Sequence, residues 1–279
     1  MARIGLIGVG NVGSGFARVL LERGFPLVVH DQEPTHAQRA GDLGAQVVDS
    51  PAAVAAAAEV ILLSLPGSHA VTEVMEGPAG LLAHLQPGHL VVDTGTTHPD
   101  TDIHYQRLCQ ERGAALVDAP ITGRRQGWIF MLGGRDEDVA RAAELISVLA
   151  YQHRHVGPLG SGQVLKLANQ MVLAGQWAVW AEAIEFTRQA GMEPRLLSDY
   201  LEFPIADGLY GDDFAAGGQL ALHYKDLGYA LDLAHHRGAQ VPLTGLVHEV
   251  FKAVKASGQP DWNQMGIVTY WRRLHRPPG

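Results

Sequence analysis

Six residues near the start of the chain restrict its fold more than any others. Gly8-Val9-Gly10-Asn11-Val12-Gly13 directly follow the apolar run Ile4-Gly5-Leu6-Ile7 and directly precede a segment with Phe16, Val19 and Leu20 at helical spacing. A buried strand that runs into a helix through this glycine spacing is the opening of a βαβ unit. Each glycine answers a different steric demand. Gly8 permits a tight turn, Gly10 lets the backbone approach a ligand, and Gly13 lets the helix pack closely on the strand.

A helix that starts this way presents free N–H groups and the positive end of its dipole to an anion, and a pyrophosphate suits that position. Asp31 ends the next strand-like run, 18 residues after Gly13. A carboxylate there accepts hydrogen bonds from the adenosine ribose hydroxyls of a dinucleotide and repels a 2′-phosphate. Gln32 follows it, so the adjacent cation that a 2′-phosphate wants is missing, and only Arg39 on the following helix is in a position to approach. The expected cofactor is NAD(H), with NADP(H) as the alternative.

Up to about Val156, β-branched or Leu-rich runs alternate with helical patterns, which predicts a parallel sheet covered by helices on both faces. Strands are expected over residues 3–7, 27–30, 46–48, 60–65, 89–93 and 115–118. The pattern changes after Gly157-Pro158-Leu159-Gly160-Ser161-Gly162, and helices are expected over 163–190, 195–202, 220–237 and 244–256. The fold class is therefore an α/β Rossmann-type N-terminal domain (1–157) followed by an all-α C-terminal domain (158–279), joined by a long interdomain helix.

With 279 residues and 47% hydrophobic side chains, the chain can bury a substantial core and reads as soluble and globular. The net charge of −8 argues against nucleic acid as a partner, because such binders need clustered cations. Cys109 is the only cysteine, which excludes an intrachain disulfide and a thiolate zinc site and fits a reducing, cytoplasmic setting. No signal peptide is evident, and apolar runs such as Val60-Ile61-Leu62-Leu63 are too short to span a membrane. The basic tail Trp271-Arg272-Arg273-Leu274-His275-Arg276 reads as a solvated terminus.

Two loops at the carboxyl ends of expected strands are candidates to hold the nicotinamide end: Leu65-Pro66-Gly67-Ser68 and Asp93-Thr94-Gly95-Thr96-Thr97-His98-Pro99. Ser68, and Thr97 or Asp100, are also candidate helix caps. Further on, Lys166, Asn169 and Gln170 share one helix face at the i, i+3 and i+4 positions. Leu173, Trp177 and Trp180 continue that face as core or subunit-interface residues. A lysine in this position either snorkels to the surface or acts as an acid/base.

These blocks, together with Asp118-Ala119-Pro120-Ile121-Thr122-Gly123, Gly160-Ser161-Gly162-Gln163-Val164-Leu165-Lys166-Leu167-Ala168-Asn169 and Lys225-Asp226-Leu227, resemble the β-hydroxyacid dehydrogenases along almost the whole chain. That family includes 3-hydroxyisobutyrate dehydrogenase, tartronate semialdehyde reductase and 6-phosphogluconate dehydrogenase. The resemblance implies that Lys166 takes the place of the catalytic lysine and that Thr122 and Gly123 take that of a substrate-binding Ser-Gly pair. It places Thr96 and Lys225 as cofactor contacts and Leu65-Pro66 as a matching loop.

The implied reaction moves a hydride between nicotinamide and the carbon bearing the hydroxyl of a small 3-hydroxy acid, or its semialdehyde, and requires no metal. A free lysine has a pKa of about 10.4, so base catalysis near neutrality requires burial or a nearby cation. Thr122 and Gly123 are expected at the substrate carboxylate, and Asn169 and Gln170 at the hydroxyl.

The chain also departs from the family pattern. The segment Thr122-Gly123-Arg124-Arg125-Gln126-Gly127-Trp128 is shortened by about five residues, and Arg124 is either an anion clamp or solvent-facing. Gln170 stands where an asparagine is usual, and Gly95 where a serine is common. Two alternatives follow: an imine reductase-like enzyme, although such enzymes usually lack a lysine at this position, or a cofactor-binding protein without turnover. A homodimer or homotetramer is expected from the helix that carries Trp177 and Trp180.

Overall fold

The computed structural model describes residues 3–124, 126–215, 219–258 and 261–275, with Arg124 described by its backbone alone. Its contacts divide the chain into two units, Met1–Lys166 and Leu167–Gly279.

In the first unit the expected alternation is present: β1 (Ile4–Ile7), α1 (Asn11–Glu22), β2 (Leu27–His30), α2 (Pro34–Asp42), β3 (Gln46–Val47), α3 (Pro51–Ala57), β4 (Val60–Leu63), α4 (Ser68–Glu76), β5 (Leu90–Asp93), α5 (Pro99–Gln110) and β6 (Ala115–Asp118). These strands pair in parallel in the order β3-β2-β1-β4-β5-β6. The strand order reverses beside β1, and open sheets of this kind take ligands at the carboxyl ends of the strands on either side of that point.

Strands β1, β5 and β6 are buried at every position, because helices cover both faces of the sheet. Alternate residues serve opposite faces. Leu6, Leu62 and Val92 join Phe16 and Leu20 of α1 in one core cluster, while Ile7, Ile61, Leu63 and Val91 join Val71 of α4 in another. Prolines begin α2, α3 and α5, where a fixed φ suits the first turn and no N–H is needed.

The sheet is not parallel throughout, which corrects the sequence expectation. It is extended by β7 (Ile121–Arg124), β8 (Gly127–Gly133) and, after α6 (Asp136–Leu149), β9 (Ala150–Gly157). β7 and β8 form an antiparallel hairpin with Thr122 opposite Ile129 and Gly123 opposite Trp128. β8 meets β6 antiparallel at Gly133 and pairs in parallel with β9. The shortened segment is thus a hairpin connection between Arg124 and Gly127, and so short a link can only join antiparallel strands. Gly127, with φ of +135°, accommodates the turn. Arg125 lies outside the described residues.

Helix α7 (Ser161–Gln189) begins in the first unit and continues into the second, which also holds α8 (Leu196–Asp199), α9 (Gln219–Arg237), α10 (Pro242–Ser257) and α11 (Thr269–Leu274). Trp177, Ile184, Leu220, Phe251, Ile267 and Trp271 lie in its core. The helix expected over 195–202 is only the four-residue α8. The tail also differs from expectation. Trp271 is buried and its Nε1 donates to Glu182 at 3.3 Å, while Arg272 bonds Glu185 at 2.9 Å and Asp212 at 2.7 Å. An indole and a doubly paired guanidinium hold this segment to its own unit; Arg276 lies outside the described residues. Among the described residues no helix is long and apolar enough to cross a membrane.

Phe16 fixes α1 to the hairpin. It is fully buried, edge-on to Trp128 at 4.8 Å and tilted against Phe130 at 5.8 Å. Phe16→Ala should destabilise the protein by about 3–5 kcal/mol. Urea denaturation checks this, and a loss below about 1 kcal/mol would mean that the helix is not packed in this way.

Candidate active site

The glycine turn meets its three demands separately. Gly8 has φ of +91°, and a Cβ there would overlap the Ser64 carbonyl; a Cβ on Gly13 would overlap the Gly8 carbonyl. At Gly10 a Cβ would meet nothing within 4 Å, so this side of the turn is open to a ligand. No side chain caps α1, which leaves its first turn for an incoming anion. Asn11 and Val12 are exposed there.

Asp31 is pinned beside this turn. Its Oδ2 accepts the Val9 N–H at 2.6 Å, and its Oδ1 accepts the Glu33 N–H at 2.8 Å. A cleft of about 490 Å³ opens here, lined by Gly8, Gly10, Asp31, Leu65 and Pro66 among others. Its charged lining is acidic: Asp31, Glu33, Asp49 and Glu73. Neither Arg39 nor any other arginine or lysine is among the described lining residues. His36 lies beside Asp31, with Nδ1 3.6 Å from Oδ1. The cleft therefore fits the adenosine half of a dinucleotide with a free 2′-hydroxyl and opposes a 2′-phosphate.

The two loops expected at the nicotinamide end are tied together. Ser68 Oγ accepts the His98 N–H at 2.9 Å and lies 3.0 Å from Thr101 Oγ1. Of the expected caps, none is used as such: Gly67 precedes α4, and His98 caps α5 by accepting the Asp100 N–H at 3.2 Å. Thr97 points inward and is fully buried, whereas Thr96 is partly exposed.

Behind this loop lies a polar core that sequence reasoning did not assign. Asp93 and Asp118 face each other across β5 and β6, and both are fully buried. Asp118 accepts the backbone N–H groups of Gly160 and Gln163, each at 2.8 Å, and so holds the start of α7. Gly162 and Gly133 leave room for it; a Cβ on Gly162 would lie 2.6 Å from its Oδ2. The Gln163 side chain accepts the Thr97 N–H and donates to the Gly95 carbonyl and to Asp102, each at 3.1 Å.

Burial, reinforced by the charge of Asp93, raises the Asp118 carboxyl to about 6 against the opposing pull of its two N–H donors. Asp102 lies well above the ordinary carboxylate range, through burial and then the charges of Asp93 and Asp118. The sequence does carry a signal for Asp102: it falls with Tyr105, Gln106 and Cys109 on the buried stripe of α5.

Lys166 lies just inside α7 and is only 8% exposed. One turn on, in the second unit, the Gln170 amide donates to Asp226 at 2.7 Å and bonds the His223 ring at 3.0 Å, and its oxygen accepts from Asn169 at 3.1 Å. Both amide protons are thus committed within the unit, and Asn169 is oriented by its neighbour. Lys225 pairs with Asp226 at 3.0 Å and lies over the Tyr229 ring. Thr122 is buried on β7 beside Gly123, and the side chain of Arg124 lies outside the described residues. Trp177 packs against His223 at 4.7 Å in the core of its own unit, so it is not available to a partner.

Comparison with known proteins gives the family context. Residues 3–157 match the model described as the NAD binding domain of 6-phosphogluconate dehydrogenase, and residues 160–271 match that described as NAD-binding of NADP-dependent 3-hydroxyisobutyrate dehydrogenase. The mitochondrial 3-hydroxyisobutyrate dehydrogenase of Homo sapiens is 31% identical, over 96% of this chain and 86% of that one. The 2-(hydroxymethyl)glutarate dehydrogenase of Eubacterium barkeri is 27% identical, over 98% of this chain and 95% of its own.

Among solved structures, Mycobacterium tuberculosis 3-hydroxyisobutyrate dehydrogenase with L-serine superposes with a TM-score of 0.87 at 26% identity, covering 99% of this chain and 100% of that one. An imine reductase from Pseudomonas sp., at 19% identity and a TM-score of 0.62 over 98% and 99% of the two chains, shares the fold alone.

The acidic cleft generates a prediction about cofactor choice. Asp31→Ala should weaken NADH binding by about tenfold, the worth of a charge-assisted hydrogen bond, and weaken NADPH binding less. Fluorescence titration of both cofactors checks this; equal losses would remove Asp31 from ribose recognition.

Proposed function

Because the chain belongs to the β-hydroxyacid dehydrogenase family and is an NAD(P)-dependent dehydrogenase acting on a CH–OH group, we propose that it interconverts a small 3-hydroxy acid and its semialdehyde, with Lys166 as general acid/base. The observation that carries this reading is a lysine buried just inside the helix whose start is fastened by Asp118. The names of its relatives, 3-hydroxyisobutyrate and 2-(hydroxymethyl)glutarate dehydrogenase, share a hydroxyl on the carbon β to a carboxylate.

Bound nicotinamide supplies the hydride acceptor or donor. Gly8 to Gly13, Asp31, Leu65, Pro66 and Thr96 hold the dinucleotide, and Lys225 is a further contact. The acidic lining of the cleft favours NAD(H), with NADP(H) as the alternative. In oxidation Lys166 takes the proton of the substrate hydroxyl as the C–H bond breaks, and in reduction it returns that proton to the carbonyl oxygen. Thr122 and Gly123 offer a hydroxyl and a backbone N–H to the substrate carboxylate, and Asn169, steadied by Gln170, orients the hydroxyl. A single cysteine, Cys109, fits a reducing, cytoplasmic compartment.

A screen of 3-hydroxyisobutyrate, glycerate, threonate and serine with NAD and NADP, read by nicotinamide absorbance, tests the assignment. Lys166→Ala should lower kcat by about 10²–10⁴-fold on the best substrate. Equal activity in variant and wild type would sink the proposed mechanism.

We further propose a homodimer, or a homotetramer built from it. Val172, Val179 and Phe186 recur every seven residues on α7 and are 60%, 63% and 73% exposed, so they form an apolar stripe of the kind a second helix covers. Light scattering should give twice or four times the chain mass, and Val179→Glu should shift it towards monomer. A monomer for the wild type would refute the interface.

A further inference from the structure

The polar core behind the nicotinamide-side loop contains more buried carboxylates than the proposed mechanism uses. Thr97 Oγ1 lies 3.1 Å from Asp93 Oδ2 and 3.0 Å from Asp102 Oδ2. A hydroxyl carries one proton and cannot donate to two carboxylates at once. With both acids ionised, one of these contacts would set lone pair against lone pair in a site closed to water.

The donors decide which acid carries the missing proton. Asp118 accepts two backbone N–H groups, and Asp93 accepts the Gly95 N–H at 2.9 Å. Asp102 is fully buried, accepts at Oδ2 from Gln163 Nε2, and has an Oδ1 that meets no donor among the described residues. The charged groups that bear on it, Asp93 from β5 and Asp118 from β6, are both acidic. Charge settles where donors are plentiful, and the proton where they are few.

We propose that Asp102 is a neutral carboxylic acid, and that in this form it is a positioning residue that locks the loop 94–97 to the start of α7. Its Oδ2–H donates to Thr97 Oγ1, and the Thr97 hydroxyl then donates to Asp93. Gln163 Nε2 donates one proton to Asp102 and the other to the Gly95 carbonyl, while Gln163 Oε1 accepts the Thr97 N–H. Each donor in the ring then has its own acceptor, and the ring joins α5, the loop and α7 within the first unit. Its bearing on catalysis rests on the assignment of Lys166, which lies three residues beyond Gln163; the coupling of the two segments does not.

Two substitutions separate a neutral acid from an anion. Thr97 and Gln163 both bond Oδ2, so Asp102→Asn is neutral and keeps one of the two bonds, its oxygen accepting from Gln163 or its N–H donating to Thr97 at that place, whereas Asp102→Ala removes both. In amide hydrogen exchange, residues 94–97 and 160–166 should together lose protection by about tenfold or more in Asp102→Ala and clearly less in Asp102→Asn. Infrared spectra at mildly alkaline pH, where Asp118 is ionised, should show a protonated-carboxyl band in the wild type that is absent in Asp102→Asn.

The folded chain holds a proton that the unfolded chain releases near the ordinary carboxylate value of 3.8. Wild-type stability should therefore fall relative to Asp102→Asn as pH rises from that value. Absence of the infrared band, protection lost equally in both variants, or the opposite pH trend would overturn the proposal. None of these measurements requires a substrate, so failure to find a hydroxy acid that turns over would count against the proposed reaction and not against this ring.

Discussion

A single carboxylate fastens the functional half of the first unit. Asp118 ends β6 and accepts the N–H groups of Gly160 and Gln163, so the last residue of a buried strand is bonded directly to the first turn of α7. The attraction combines two charge-assisted hydrogen bonds with the positive end of a helix dipole. It operates against burial, which is why the Asp118 carboxyl sits near 6 and not in the ordinary range. The glycines on either side of it, Gly133 and Gly162, are explained by this anchor, since a side chain on either would occupy the space of the carboxylate. Lys166 inherits its position from this bond.

The sequence exposes some of these relations and conceals others for physical reasons. The glycine turn was legible because each of its glycines answers a local steric demand, and the six parallel strands because buried strands are short uninterrupted apolar runs. The strands β7 to β9 were hidden. β8 is itself such an apolar run, but its neighbours carry no strand pattern to pair it with: β7 is only Ile121-Thr122-Gly123-Arg124, and β9 is largely exposed along its length. The tail was misread for a related reason: Arg272 looks solvated until Glu185 and Asp212, remote in sequence, are brought to it.

The candidate site shows the same division. Asp31, Lys166 and the Thr122-Gly123 pair are recognisable by spacing or resemblance. Asp102 and Gln163 act through partners on three different elements, and their roles follow only from the network in which each hydrogen has one acceptor. Gln170 is intermediate: its amide character is visible in the sequence, but its commitment to Asp226 and His223 is not. That commitment makes it a support for Asn169, and it accounts for the longer side chain, which must span from α7 to α9 within its unit.

The packing of Trp128 also has an evolutionary side. Its ring lies over Gly15, where a Cβ would come to 2.7 Å from the indole. Residues 15 and 128 are therefore not free to vary independently: a larger residue on α1 demands a smaller one on β8, and a tryptophan on β8 demands glycine on the helix. Among natural relatives the two positions should covary as a pair, so that the strand paired with Thr122 and Gly123 and the turn at Gly8 to Gly13 drift together.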